Sequence, residues 1–411
     1  MKKISYYRLF IYMLLLNSFV SLTYSIYPSN LNVGKIVGAV LIIVLIAIYV
    51  KTLKRRDIFY LLFICIFDLL TIFRISDVSI DIENIMFFTS TTMILWKFSE
   101  LSVREKMKNE FNKMSDKVFK ITNIMLGITI ISLLFNSSWV VVNGQRVFTG
   151  LCDSGHKMAG NLCFLSSIYF LYFINKNMKI RDLFYFAIIF VIILSTGSRT
   201  YLISYFIIML LLYLKKLKQY SIIKLFMPFI VICGIYLFIN SSIFARFFIM
   251  GENQYVSENF WEATSSGRLI WWKIDLDAFS DFNIINKIFG KGFTYLYNLN
   301  LVEYGLRISA HNDFLTLIVS TGWFGLLGYL IILKNWFFKK NYNKRKIIDI
   351  VFTILLFMIN AMISGVYGAQ QYIFCNLIIS LVLLEDNEKE KGKKKNELYN
   401  ITQGIKINKC Y

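Results

Sequence analysis

Apolar residues come along this chain in long unbroken runs, separated by short polar tracts. Windows near 7–26, 34–50, 58–73, 84–98, 120–136, 158–175, 182–195, 200–214, 223–242, 312–333, 347–365 and 368–384 reach or approach the ~20 residues that cross a bilayer. They predict about twelve transmembrane helices. A span in hydrocarbon must satisfy its own backbone, which leaves helices and closed barrels. The ten-residue alternation of an outer-membrane barrel is missing. The expected fold class is therefore all-α: a polytopic integral membrane protein with a single transmembrane domain over residues 1–384.

Three interruptions stand out. At STGSRT an apolar run stops after only about 14 residues and resumes at once, so 182–214 reads as two spans or as one kinked or re-entrant segment. Residues 243–310 form a loop far longer than any other, with aromatic, helix-like patterning (NFWEATSSGRLIWWKIDLDAFSDF) that suits an ordered element. Residues 385–411 are charged and aperiodic and read as a tail without a packed core.

Composition sharpens this picture. Hydrophobic residues make up 57% of the chain, there are two prolines, and the mean hydropathy is +0.57. A net charge of +20 would suggest a nucleic-acid partner in a soluble protein. Here the basic residues sit in tracts such as KTLKRRD, KKLK and KKNYNKRK between apolar runs, which is the positive-inside signature, and no nucleic acid is expected. The even span count puts both termini in the cytoplasm and the 243–310 loop outside. The basic, apolar first segment is read as an uncleaved span. Six scattered cysteines include no C-x-x-C; P-loops and paired histidines are missing too. No metal site or cofactor is expected.

The polar residues that could carry chemistry gather at the outer side. The chain has two histidines, His156 in CDSGHKMAGN and His311 in ISAHNDF, and both fall at helix mouths there. So do Arg199 in STGSRT and Arg268 in TSSGRLIWW. Arginine offers a planar fork of donors that matches phosphate oxygens; a snorkelling interfacial arginine or a loop salt bridge to Glu258, Glu262 or Asp275 is the plainer alternative. A neutral imidazole suits a general base, and the plainer alternative for His311 is a satisfied helix end. Gly322, Gly325 and Gly328 follow it at spacing three, on a face that would let another helix approach closely. Ser198 and Gly267 beside the arginines, Asn312 beside His311, and Trp271, His156 and Lys157 complete the candidate substrate-binding set. Trp271 could stack on a sugar or anchor in the interface, and His156 and Lys157 could assist or simply anchor. Asp68 is the clear mid-span acid and is expected to meet a basic partner in the bundle.

Four pieces occur in a telling order: ILSTGSRT ending a span, SGRLIWWKIDLDAF in the long loop, FGKGFTYLY, and AHNDFLTLIVSTGWFGLLGYL re-entering the membrane. Over residues 187–331 this order and membrane placement resemble the superfamily of O-antigen ligases and Wzy-type repeat-unit polymerases. GLCDSGHKMAGNLCFL resembles more loosely a family segment before the sixth span, without the proline of the commoner form. The resemblance implies metal-independent transfer of a glycan from undecaprenyl diphosphate to a sugar hydroxyl, at the outer face of a bacterial cytoplasmic membrane. It implies Arg199 and Arg268 on the leaving diphosphate and His311 as the base. A polymerase extending a capsule, O-antigen or exopolysaccharide is the favoured reading; a ligase using lipid A core as acceptor and a flippase are the alternatives. The partners implied are the lipid-linked oligosaccharide, membrane lipid, a flippase and a chain-length-regulating protein.

Overall fold

The computed structural model describes residues 5–27, 33–215 except 143 and 177, 234–240 except 237, 268–338 except 306, and 347–384 except 366 and 367. The expected span at 223–242 therefore lies largely outside the described residues, as do loop residues 243–267, Gly267 among them, and the tail 385–411. What is described is a bundle of helices: α1 (Tyr6–Leu22), α2 (Val33–Lys51), α3 (Arg55–Ile72), α4 (Val78–Phe98), α5 (Leu101–Ser132), α6 (Gly155–Asn175), α7 (Leu183–Ser195) and α8 (Arg199–Lys215). After the undescribed stretch come α9 (Arg268–Ser280), α10 (Ile284–Phe289), α11 (Phe293–Tyr304), α12 (Asp313–Phe338), α13 (Ile347–Ile363) and α14 (Gln370–Val382). One departure from an all-α chain is a small antiparallel hairpin, β1 (Trp139–Val142) with β2 (Gln145–Phe148), pairing Trp139 with Phe148.

By length and hydropathy, Val33–Lys51, Gly155–Asn175 and Asp313–Phe338 are candidate membrane spans, with shorter apolar helices around them. The chain is an integral membrane protein by this measure. Helices α6 and α14 lie at the centre: almost every α6 residue from Met158 to Leu171, and every α14 residue except Gln371, is buried. A helix apolar on all sides belongs in such a place. Peripheral helices keep large apolar residues exposed, Ile36, Ile43 and Val50 on α2 and Phe59, Leu62 and Leu69 on α3, as lipid-facing surfaces require.

Helix α5 is longer than its apolar run. The sequence reads a span from about 120, but the helix begins at Leu101 and has 32 residues. Its charged first half carries a buried stripe, Val103, Met107, Phe111, Met114 and Val118, at helical spacing. The stripe lies where Arg8 meets Glu110 at 3.2 Å, Lys108 Nζ donates to the Leu384 carbonyl at 2.7 Å and Arg104 stands over Trp336. The start of α1 and the ends of α12 and α14 thus share one end of the bundle. That end also holds the junction of α3 and α4–α5: Lys97, fully buried, donates to Asp57 at 2.6 Å and to the Thr52 carbonyl at 2.8 Å, beside Glu100, Arg56 and Lys54. We call it the basic end.

At the opposite end Ser25 donates to the Leu151 carbonyl, and α7 and α8 turn back on one another through Gly197. Tyr205 reaches the Phe186 carbonyl at 2.5 Å, each about as far from the turn as the other, so STGSRT closes an antiparallel helical hairpin. Asp68 faces no cation among the described residues; the Thr89 hydroxyl donates to it at 2.9 Å, which satisfies one oxygen without a second charge.

The described part of the long loop, from Arg268 onward, is a compact helical module. Phe282, Leu296, Ala310, Ile318, Val319 and Leu326 form its own small core between α9–α11 and α12. The module is tied to the bundle by Arg74 donating to the Phe289 carbonyl at 2.7 Å, Arg307 paired with Asp77 at 2.8 Å, and Thr294 donating through backbone and hydroxyl to Asp81.

Helix α12 is not the straight span that its pattern suggests. Gly322 has φ 64° and ψ −164°, which no helix contains, and there the chain reverses. Tyr329 donates to Asp313 at 2.8 Å although 16 residues separate them, so the arm 313–321 folds against the arm 323–338. The break frees carbonyls at the end of the first arm, and the loop before α11 satisfies them: Lys291 N–H donates to Val319 and Gly292 N–H to Ser320. That approach needs glycine on both sides. A Cβ on Gly290 would lie 2.2 Å from the Ser320 backbone, and one on Gly322 would lie 2.4 Å from that of Ile288. The expectation of three glycines on one face is corrected accordingly: Gly322 makes the turn, Gly325 faces Thr321 of its own chain, and Gly328 receives the Phe63 ring of α3.

Candidate functional site

His311 sits in the strand of chain that leads into the first arm of α12, with φ 50°, a left-handed conformation. Asn312 follows it as the helix cap: its side-chain oxygen accepts from Phe314 N–H at 3.0 Å and Leu315 N–H at 3.2 Å. The carboxamide is committed to the backbone, so Asn312 positions its neighbour rather than facing open space. Across from them, α9 presents Arg268, Trp271, Trp272 and Asp275 on one side, because residues three, four and seven apart share a helical face. Trp272 donates to the Ala310 carbonyl at 2.9 Å, and the Trp271 and His311 ring centroids are 5.8 Å apart. Trp271 is only 8% exposed, which closes its faces to a stacked sugar in this arrangement.

The electrostatics follow from burial. The His311 imidazole is pushed down to about 4, first by burial and then by the Arg268 charge, with a hydrogen bond to the Ser364 backbone opposing. It is neutral over the whole physiological range. Burial also lowers the Arg268 guanidinium from its usual value, and pushes the Asp275 carboxyl up to about 7, against a smaller opposing effect of Asn300. Neither carboxyl oxygen of Asp275 has a close hydrogen-bond partner.

The second group lies where α6 and α8 begin. His156 Nδ1 is 3.0 Å from Ser198 Oγ, and its ring lies 4.6 Å from Tyr201. Gly155 is pressed on the Thr196 carbonyl, where a Cβ would come within 2.5 Å, so the histidine turn and STGSRT touch through backbone. Lys157, exposed, pairs with Asp153 at 2.5 Å and stands over Tyr24. Arg199 opens α8, half buried.

The turn after α13 joins the two groups. Asn360 and Tyr372 bond Ser204 on α8, which sets the register of α13 against α8. One helical turn from these, toward the same end, lie Thr200 on α8 and Ser364 on α13. Ser364 is the backbone partner of His311, and a Cβ on Gly365 would lie 3.2 Å from Asp313 Oδ1. The turn therefore touches His311 directly, and Thr200, the residue after Arg199, lies at the same end of the bundle, so both groups gather at that end. Sequence reasoning missed that turn, since MISGVYG carries no distinguishing pattern. Asp275 was weighed only as a salt-bridge partner; its spacing of seven from Arg268 was the available signal. Among the described residues no cluster of His, Cys, Asp or Glu could hold a metal ion.

A helical membrane protein with a helical module resting on a broken helix, and a basic and imidazole-bearing site beside them, defines the class. Residues 184–330 match the family model for Wzy_C, described as O-antigen ligase, which is consistent with the O-antigen ligase and Wzy superfamily. The match takes in α7, α8, the module and the broken helix, and its bounds nearly coincide with the 187–331 resemblance. Members of that family are membrane glycosyltransferase-like enzymes of ligase and polymerase type, and the match is consistent with activity of that general kind. No curated protein and no solved structure matches the chain.

Proposed function

We propose that the protein polymerises lipid-linked oligosaccharide repeat units, transferring glycan from undecaprenyl diphosphate to a sugar hydroxyl at the outer face of the cytoplasmic membrane. The carrying observation is a half-buried His311, packed beside Trp271 of the helix that Arg268 opens and close enough for the Arg268 charge to favour its neutral form, in a segment matching the family model. Diphosphate is a good leaving group, so the site needs cations for the departing charge and a base for the attacking hydroxyl, with no obligatory general acid. Arg268 and Arg199 take the first role and His311 the second. An anionic donor beside Arg268 would offset the charge that weakens the imidazole, so His311 becomes a stronger base when the donor is bound. Ser198, His156 and Lys157 flank the donor or acceptor, and Gly267 adjoins Arg268.

The family's description as O-antigen ligase favours one second reading, a ligase that passes finished chains to a lipid A core. A size profile of surface polysaccharide from a strain lacking the protein, complemented with wild type, Arg268→Ala or His311→Ala at matched membrane levels, decides. Single repeat units without a ladder in the null and both variants support the polymerase. Long chains retained on the lipid carrier mean a ligase. Units accumulating at the inner face mean a flippase and sink the site.

A further inference from the structure

A cavity of about 610 Å³ opens between α1, α2 and α4 and the start of α14, at the end of the bundle that carries the candidate site. Its size is that of a small-molecule site, within the roughly 300–1,000 Å³ such pockets span. One wall is polar and ordered. Gln371 donates to Asn17 at 3.3 Å, Asn17 to Gln370 at 3.0 Å and Gln370 to Ser90 at 3.3 Å, a chain of amides fixed in orientation. Beside it Ser21 accepts from Asn161 at 2.9 Å, which directs the hydroxyl proton elsewhere, and Tyr24 supplies an aromatic face. Opposite it, apolar positions run down two helices at i, i+4, i+8, Gly34, Gly38 and Ile42 on α2 and Val78, Ile82 and Met86 on α4, with polar Lys35, Ser79 and Glu83 at the mouth. Lys35 and Glu83, 3.7 Å apart, span the same two helices.

Fixed amides, a hydroxyl and an aromatic ring recognise sugars; the apolar positions running down α2, a candidate span, and α4 fit a lipid chain. We infer that this cavity holds a second lipid-anchored glycan, the acceptor, with its sugars on the amide wall and its lipid leaving between α2 and α4. The inference rests on the glycan-transfer reading above. Its location is also apt: Gly368 and Gln370 in the lining lie within six residues of Ser364 and Gly365, which touch His311 and Asp313.

Gly38 provides the test, because a Cβ there meets nothing within 4 Å. Gly38→Phe directs a ring into the cavity from a position whose Cβ meets nothing, and Gly38→Ala leaves the cavity open. The probe is the lipid-linked repeat unit extracted from a strain lacking the protein, offered to purified full-length chains in nanodiscs, with bound glycan per chain and product length as readouts. The expected result is two glycans per chain for wild type, Gly38→Ala and His311→Ala, and one for Gly38→Phe. Transfer falls at least about tenfold in Gly38→Phe, equivalent to ~1.4 kcal/mol. Equal binding and equal product in Gly38→Phe and wild type overturn the acceptor cavity while leaving the transfer reading intact. Wild type that binds the unit but never elongates it overturns both.

Discussion

His311 is the non-glycine residue with positive φ among the described residues, a conformation that costs an L side chain on the order of 1 kcal/mol. Asparagine tolerates that region well, so His311→Asn keeps the backbone and removes the base. Transfer by His311→Asn is expected to fall by about 10²–10⁴ with the melting temperature nearly unchanged; a large loss of stability with residual transfer would make the histidine structural. Because the folded imidazole titrates near 4 rather than 6.5, it binds fewer protons than the unfolded chain between those values. Its contribution to stability is full above about 6.5 and is lost as pH falls through 4, and initial rates should show no acid limb between pH 8 and 6. Asp275 has the opposite sign: pushed up to about 7 from 3.8, it contributes fully below 3.8 and loses that contribution as pH rises through 7. Asp275→Asn should therefore stabilise the protein at pH 8 by roughly 1–3 kcal/mol, the cost of a buried group left unsatisfied, and thermal unfolding at pH 8 and pH 5 checks it.

At the scale of elements, the broken helix and its glycine contact invite substitution. Gly322→Ala places a methyl against the Ile288 backbone at a φ that alanine resists. It should cost more than ~2 kcal/mol in thermal inactivation. Gly127→Ala in α5 meets nothing within 4 Å and should be neutral or stabilise by roughly 0.5–1 kcal/mol. Equal effects of the two would remove the argument for a strained turn. These elements also show what a sequence can disclose. Apolar runs mark α1 to α8 and α12 to α14 because burial in lipid or bundle imposes them residue by residue. The reversal at Gly322 left no trace, since glycines in apolar helices commonly mark close packing; it depends on Gly290 and Gly292 some thirty residues upstream. The first half of α5 was hidden by its charges, although its buried stripe at helical spacing was available. At the site, Arg268, His311 and His156 were legible as rare polar residues at helix mouths. The capping role of Asn312, the burial of Trp271 and the joining turn at Ser364 were not, because each is a contact between distant segments.

For the molecule as a whole, the two ends have different work. The basic end is stitched by charges inside the protein, with Lys97 and Asp57 both fully buried. Lys97→Met leaves buried Asp57 with only the more distant Arg56, at 3.8 Å, as cation and is expected to cost about 3–5 kcal/mol, whereas Lys97→Met with Asp57→Leu should recover much of the loss. Melting of the two variants in detergent checks this; no recovery in the double variant would mean that the surrounding Glu100, Arg56 and Lys54 set the cost. The opposite end keeps its polar groups around the candidate site.

The reversal in α12 also bears on how the chain is made. The arm 313–321 is nine residues, roughly 14 Å of helix against a hydrocarbon core of ~30 Å, too short to settle across a bilayer as it leaves the ribosome. Its freed carbonyls find donors only once Lys291 and Gly292 are in place, and that loop is pinned to Arg74 and Asp81. The early helices α3 and α4 thus act as the mould in which the last part of the site is cast, and biogenesis of this arm is a tertiary event rather than a step of translocon insertion.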